Sequence, residues 1–210
     1  MCNQYPQRVK ERIIPLSVSS DIRQAINEWR FTDRVHDNGY AEEVCEFCGQ
    51  ESIRYQYEIE NTNNLNRIWV GSSCILKFDV PVIFNGRRLD PTAAKTRLDN
   101  LAYEMRRQAC ITALEQLAAS EASPALGSAL KQYKQRRTLT PKQIALILWR
   151  LQHNKIDHHS SFFTVDLTKQ RYKDDLKAMA TWKVHQIWPA LTSSQRKIAE
   201  RLGHPPPSRR

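Results

Sequence analysis

Three cysteines stand at spacings that could hold a metal ion: Cys45 and Cys48 in C-E-F-C-G, and Cys74 in V-G-S-S-C-I. A C-x2-C turn followed by glycine is how a zinc knuckle is built. The short loop aims both sulfurs at one point, and Gly49 lets the backbone double back. Two alternating stretches lie between Cys48 and Cys74, so a returning hairpin would bring the third sulfur to the same place. A closed structural site takes four ligands. The candidates for the fourth are His36, in a loop upstream of Cys45, Cys2, should the N-terminus wrap over the module, or water. The expected metal set is therefore Cys45, Cys48, Cys74 and His36, with structural Zn²⁺ as the cofactor. Cys110 falls within a helical pattern and reads as a core thiol. Three thiolates would blunt the Lewis acidity of the ion, and no general base stands nearby, so a catalytic zinc is not expected.

Other catalytic arrangements are poorly served. Cys45 and Cys48 could form a redox pair, but Glu42, Glu43, Glu46 and Glu51 surround them, and acidic neighbours raise thiol pKa values. His153, Asp157, His158 and His159 come close in sequence, without paired carboxylates at a useful spacing. No phosphate-cradling glycine loop and no Ser/His/Asp grouping is present. We expect a protein that is not an enzyme and has no small-molecule substrate.

The chain has 210 residues and a formal net charge of +10, unevenly distributed. Residues 1–90 carry 11 Lys/Arg against 13 Asp/Glu; residues 91–210 carry 21 against 9. An excess confined to one half points to an anionic partner for that half, most often nucleic acid. The candidate phosphate contacts are Arg106 and Arg107; Lys131, Lys134, Arg136 and Arg137; and Lys169, Arg171 and Lys173. Arg196, Lys197 and Arg201 form a further basic cluster. Arg87 and Arg88, beside an Asn85-Gly86 turn, could enter a groove. Tyr133, Trp149, Trp182 and Trp188 read as core. No apolar run reaches the roughly 18 residues of a membrane helix, and no signal-peptide core is seen, so an intracellular, bacterial setting without a membrane partner is expected. There, thiols suit a metal better than disulfides.

These residues need elements to position them. The opening through Pro15 reads as irregular. A short helix is expected over 21–29, capped by Ser19 or Ser20, then a loop over 32–39. Ile53, Tyr55, Tyr57 and Ile59 alternate with polar residues as a strand does. The run 61–64 is turn chemistry, 68–70 the return strand, and Ser72 and Ser73 precede a short helix carrying Cys74. A second hairpin is expected around Asn85-Gly86. From Asp90-Pro91 the pattern turns helical: one helix to about 119, another from Ser123-Pro124 to 137, and a third opened by the Thr140…Gln143 capping box. A short strand or linker follows over 162–167. One helix capped by Thr168 is expected to run to Ile187, and a last one opens at Thr192…Gln195 and ends at Gly203. The fold class expected is α+β: a β-rich zinc-knuckle module with an N-terminal helix (1–89), a basic helical bundle (90–203) and a disordered tail (204–210).

The segment C-E-F-C-G-x-x-x-I-R-Y-x-Y-x-I-x-N, followed by V-G-S-x-C-I-x-x-F, resembles small zinc-ribbon or treble-clef modules of phage, plasmid and integrative-element proteins. The resemblance covers residues 40–80 and implies a structural metal module without an activity. Some such modules carry histidine near the position of Asn61, which is not a zinc ligand. The expected function is nucleic-acid binding, DNA or RNA, with the helical half on the phosphate backbone. The alternatives are a small subunit of a bacterial nucleoprotein complex (a CRISPR-type effector, transposition or conjugation machinery) or a mobile-element protein that inhibits a host protein.

Overall fold

In the computed structural model, residues 6–208 are described. Cys2, a candidate ligand above, lies outside them. The chain divides into two compact units, Met1–Met105 and Arg106–Arg210, each with its own buried core. No helix among the described residues is long and apolar enough to cross a membrane.

The first unit opens with α1 (Gln7–Ile13), where an irregular segment was expected. Val9 and Ile13, one turn apart, are fully buried, and this single apolar pair on a basic helix gave too short a period to read. In α2 (Ile22–Asn27) the cap is Asp21 rather than a serine. Its Oδ1 accepts the N–H groups of Arg23 and Gln24, each at 3.0 Å. Trp29 does not end this helix but begins β1 (Trp29–Asp37), which replaces the expected loop. The pairing register shifts between Phe31 and Val35, and Asp33 sits there at φ 62°. This bulge interrupts the alternation that would otherwise identify a strand.

β1 pairs antiparallel with β2 (Tyr55–Asn61), and β2 with β3 (Arg67–Val70), so β2 is central. α3 (Ser72–Lys77) follows at once. The second hairpin forms as expected, β4 (Ile83–Phe84) against β5 (Arg87–Arg88), with Asn85 at φ 48° and Gly86 at φ 74°. α4 (Pro91–Ser120) is capped by Asp90, and the division of the chain falls inside it.

Both faces of β2 are covered. Tyr57 and Ile59 join the apolar cluster with Trp29, Phe47, Ile75 and Leu98. On the opposite face Gln56, Glu58 and Glu60 are also buried. Arg30 and Arg67 bond Glu60, at 3.0 and 2.6 Å, and Arg34 bonds Glu58 at 3.0 Å. The arginine stems cover these carboxylates while their heads stay half in water.

A second buried polar knot joins α2 to the sheet. The Glu28 carboxylate accepts N–H groups from Val18 (2.8 Å), Ser19 (2.7 Å) and the Asn61 amide (2.7 Å). Asn61, fully buried, in turn accepts the N–H of Asn63 at 2.8 Å and closes the turn before β3. Its position is that of a hub for the chain's turn.

The second unit is helical: α5 (Pro124–Arg136), β6 (Thr138–Leu139), α6 (Pro141–His153), β7 (Thr164–Val165), α7 (Gln170–Ala178), α8 (Thr181–Ile187) and α9 (Ser193–Arg201). β6 and β7 pair parallel. Both expected capping boxes form, at Thr140/Gln143 and Thr192/Gln195. The single helix expected up to Ile187 is two helices. Met179 and Ala180 are extended, which breaks it; Lys169 occupies the N-cap position of the first part without a side-chain cap, and the Thr168 hydroxyl bonds Asp166 instead. Beyond α9, His204 is buried: its Nε2 lies 2.9 Å from the carbonyl of Leu176, and the His185 ring bonds that of Pro205 at 2.9 Å.

Burial works to raise the Glu28 carboxyl, but its three N–H donors outweigh it and hold the group below its usual range. A carboxyl whose folded pKa lies below its unfolded value of about 4.3 stabilises fully above that pH, and the contribution fades as pH falls through the folded value. Glu28→Gln should cost about 1–3 kcal/mol at neutral pH. Urea unfolding should also show the variant losing less stability than the parent between about pH 5 and 3. Equal pH dependence in the two proteins would assign the acid sensitivity elsewhere.

Candidate functional site

The Cys45–Cys48 turn is held from three sides. At its base Glu43 and Ile53 form an isolated antiparallel bridge. Within it Gly49, at φ 74°, donates its N–H to the Cys45 carbonyl at 2.7 Å, and the Cys45 N–H reaches the Gln50 carbonyl at 2.8 Å. Its tip is tied to β3: the Glu46 N–H donates to the Trp69 carbonyl at 3.0 Å, and the Glu46 carboxylate accepts the Trp69 N–H. From α1, the Arg12 guanidinium lies over Gly49, where a Cβ would meet it at 3.1 Å, and donates to the Glu46 carbonyl. The positive φ favours glycine at position 49, and a Cβ there would also displace the Arg12 guanidinium.

Fixing the turn to Trp69 brings the end of β3 alongside, and Cys74 enters from the first turn of α3. The Sγ atoms of Cys45, Cys48 and Cys74 lie within 4.8 Å of one another. Cys45 to Cys74 is 3.7 Å and Cys48 to Cys74 is 3.2 Å. Gly71, the N-cap of α3, donates its N–H to the Cys45 sulfur at 3.4 Å. The hydrogen bond from Cys74 lowers the Cys45 thiol to about 5 against the opposing effect of burial, helped by the N–H groups of Gly71, Cys48 and Phe47. The same contact pushes the Cys74 thiol up, as does burial. The three sulfurs thus compete for protons in a site that backbone N–H groups already prepare for negative charge, and such a group could hold a metal ion.

His36 lies outside this group of three. It is in β1, opposite Gln56, with its ring edge-on to Trp69 at 6.0 Å. The loop that was to fold it back toward Cys45 is a paired strand. Cys110 is buried and its thiol is raised to about 12 by that burial, as befits a core residue. His158 and His159 bond within their own turn, to the Ile156 carbonyl at 2.8 Å and to Ser161. His153 stacks on Trp149.

The expected phosphate contacts separate into two sets. In the first unit Arg88 pairs with Asp79 at 2.8 Å, while Arg87 is exposed. In the second unit Arg106 pairs with Asp157 at 3.0 Å, Lys134 pairs with Glu115, and Arg107 donates to the Tyr133 hydroxyl at 3.1 Å. Lys131, Arg136, Arg137, Lys169, Arg171 and Lys173 make no ion pair among the described residues.

Of these, Arg136, Lys169 and Arg171 are brought near one another by backbone, while Arg137 lies over the Tyr133 ring at 5.8 Å. Arg137 closes α5 at φ 58° and leads directly into β6. β6 pairs with β7, and the Asp166 N–H extends that pairing to the Leu139 carbonyl at 2.8 Å. Three residues later Lys169 occupies the N-cap position of α7. Asp166 lies among these cations. Burial raises its carboxyl, but the Thr168 hydroxyl and N–H, with the charges of Lys169 and Arg136, bring it below its usual value. Arg171 lies over the Tyr172 ring at 4.8 Å.

Tyr133 and Trp188 are core, as expected; Tyr133 donates to the Phe162 carbonyl at 2.8 Å. Trp149 and Trp182 are not. They are 41% and 57% exposed: Trp149 stands on the outer side of α6 and Trp182 in the first turn of α8. No family model, curated protein or solved structure matches the chain.

Purified protein should carry about one divalent metal ion per chain, measured by native mass spectrometry. Serine at Cys45, Cys48 or Cys74 should abolish stoichiometric binding, whereas Cys110→Ser should keep it. Loading the metal-free protein should release protons, as thiol ligation requires. Cys2→Ala and His36→Ala compared side by side identify the fourth ligand: only the variant that removes it will lower the affinity.

Proposed function

We propose that this chain is a non-enzymatic nucleic-acid-binding protein. A structural zinc ion on Cys45, Cys48 and Cys74 stabilises its first unit, and the second unit contacts phosphates through Arg136, Arg137, Lys169 and Arg171. One observation carries the reading: Arg136, Lys169 and Arg171, from two distant stretches of sequence that the β6–β7 pairing joins, stand around Asp166, Arg137 follows Arg136 in the chain, and none of the four makes an ion pair among the described residues. Arginine and lysine left in this condition offer their charge outward, which is what counterion release from a phosphate backbone uses. The unit that bears them carries 19 Lys/Arg against 7 Asp/Glu.

Zinc suits the cysteine group by chemistry. Thiolates are soft ligands, and a tetrahedral ion held by several of them is the usual structural site. Its place in the first unit would be to lock the Cys45 turn, the hairpin and α3 into one body, so that chelation should loosen that unit.

Affinity for short DNA and RNA, measured across a salt series, tests the reading. Four phosphate contacts give a log–log slope of about −3.6 on duplex DNA and about −2.8 on a single strand. A combined variant, Arg136→Gln, Arg137→Asn, Lys169→Gln and Arg171→Gln, should remove most of that slope and weaken binding alike on all sequences. Asparagine is chosen at 137 because it tolerates the left-handed backbone there. Neutralising the ion-paired Arg106 should change the slope less. Absence of binding to either nucleic acid at low salt would end the proposal.

A further inference from the structure

α6, the end of α7 and α8 enclose a groove of about 490 Å³ that the sequence did not suggest. Leu146 and Met179 form part of its lining, the exposed Trp149 and Trp182 stand at it, and Lys142 and Lys183 also line it. A mostly apolar groove of this size with two accessible indoles is unusual on a surface otherwise rich in charge. Lys183 lies 5.3 Å from the Trp182 ring centre, and Arg150 lies 4.7 Å from that of Trp149.

The groove is connected to the cation cluster by one helix. α7 has nine residues and is about 13 Å long. Its first residues follow Lys169 and include Arg171; its last residue, Ala178, lines the groove. Along it Lys169, Lys173 and Lys177 recur every four residues, which places them on one face. None of the three is ion-paired among the described residues. Asp174 and Asp175 are engaged elsewhere, by Gln170 at 2.9 Å and Lys142 at 2.5 Å. Lys177 stands one residue before Ala178, so the α7 lysines lead from the guanidinium cluster to the end of the helix that borders the groove.

We propose that this surface binds single-stranded nucleic acid: the backbone follows Lys169, Lys173 and Lys177, and an unpaired base enters the groove to stack on Trp182. The inference rests on the nucleic-acid reading above and deepens it. A charged track with aromatic platforms is the common design of single-strand binding, since every base offers a π-face regardless of sequence. A duplex cannot use the groove, because its bases are already stacked and paired. An acidic amphipathic peptide would match the lysines at the groove but leave the α7 row and the Arg136 cluster without a partner.

Binding of a twelve-residue oligo(dT) to the full chain, followed by tryptophan fluorescence and by anisotropy across a salt series, tests this. Oligo(dT) should bind more tightly than a duplex of equal length and quench the fluorescence. Trp182→Ala should lower affinity about tenfold and remove much of the quench while the salt slope stays unchanged. Trp182→Phe should restore most of the affinity. A combined Lys169→Gln, Lys173→Gln and Lys177→Gln variant should flatten the slope by about 2 units and keep the quench at saturation. Because Trp182 is largely exposed, its truncation leaves the core intact. If Trp182→Ala binds like the parent, or a duplex binds as tightly as oligo(dT), the single-strand inference fails while the nucleic-acid reading stands. If neither nucleic acid binds, both fail; capture of an acidic helical peptide by the same groove would then name the other occupant.

Discussion

Three sulfur atoms, two of them buried, cannot sit side by side at no cost. As thiolates they repel, and as thiols they crowd a site whose nearby N–H groups favour negative charge. The first unit is arranged so that they meet all the same. Glu46 grips the main chain of Trp69 at both its donor and its acceptor. Arg12 lies over Gly49, whose positive φ turns the chain back. The hairpin and α3 then deliver Cys74 to the same place. A shared cation would resolve the competition among the sulfurs; the surrounding fold supplies the position but not the neutralising charge.

The same unit solves a second burial problem without metal. Glu28, Glu58 and Glu60 are inside, each carrying donors: backbone and amide N–H groups for Glu28, arginine side chains for the other two. Breaking one partner would leave a buried carboxylate exposed to its full desolvation cost. The polar face of β2 is therefore structural, and its arginines are committed to it.

Cations in the second unit divide on the same criterion. Where a carboxylate stands opposite, as with Arg106, Arg150 or Lys142, the charge is spent internally. Where no ion pair forms among the described residues, as with Arg136 and Arg137 at the end of α5 and Lys177 on α7, the exposed side chain keeps its charge toward solvent. The parallel pairing of β6 with β7 is only two residues long, yet it joins stretches some thirty residues apart in sequence and decides which cations become neighbours. The helix breaks at Met179 and Ala180, and Trp182, in the first turn of the helix that follows, is a surface side chain.

The Cys45–Cys48 turn, the β2–β3 hairpin, the Asn85-Gly86 turn and both capping boxes were legible in the chain, because each depends on a few adjacent residues with fixed stereochemistry. Charge asymmetry was equally visible, since it is additive. α1 and β1 were hidden, one by its short apolar pattern and the other by the bulge at Asp33, and the 170–187 segment kept helical periodicity across a break that only packing imposes. The sequence by itself determined the thiols, their local turn and the excess of basic residues. Which cations lie together, which indoles are bare and that His36 stands apart from the sulfurs were decided by tertiary structure, because strand pairing and helix breaks act between residues whose identities carry no record of each other.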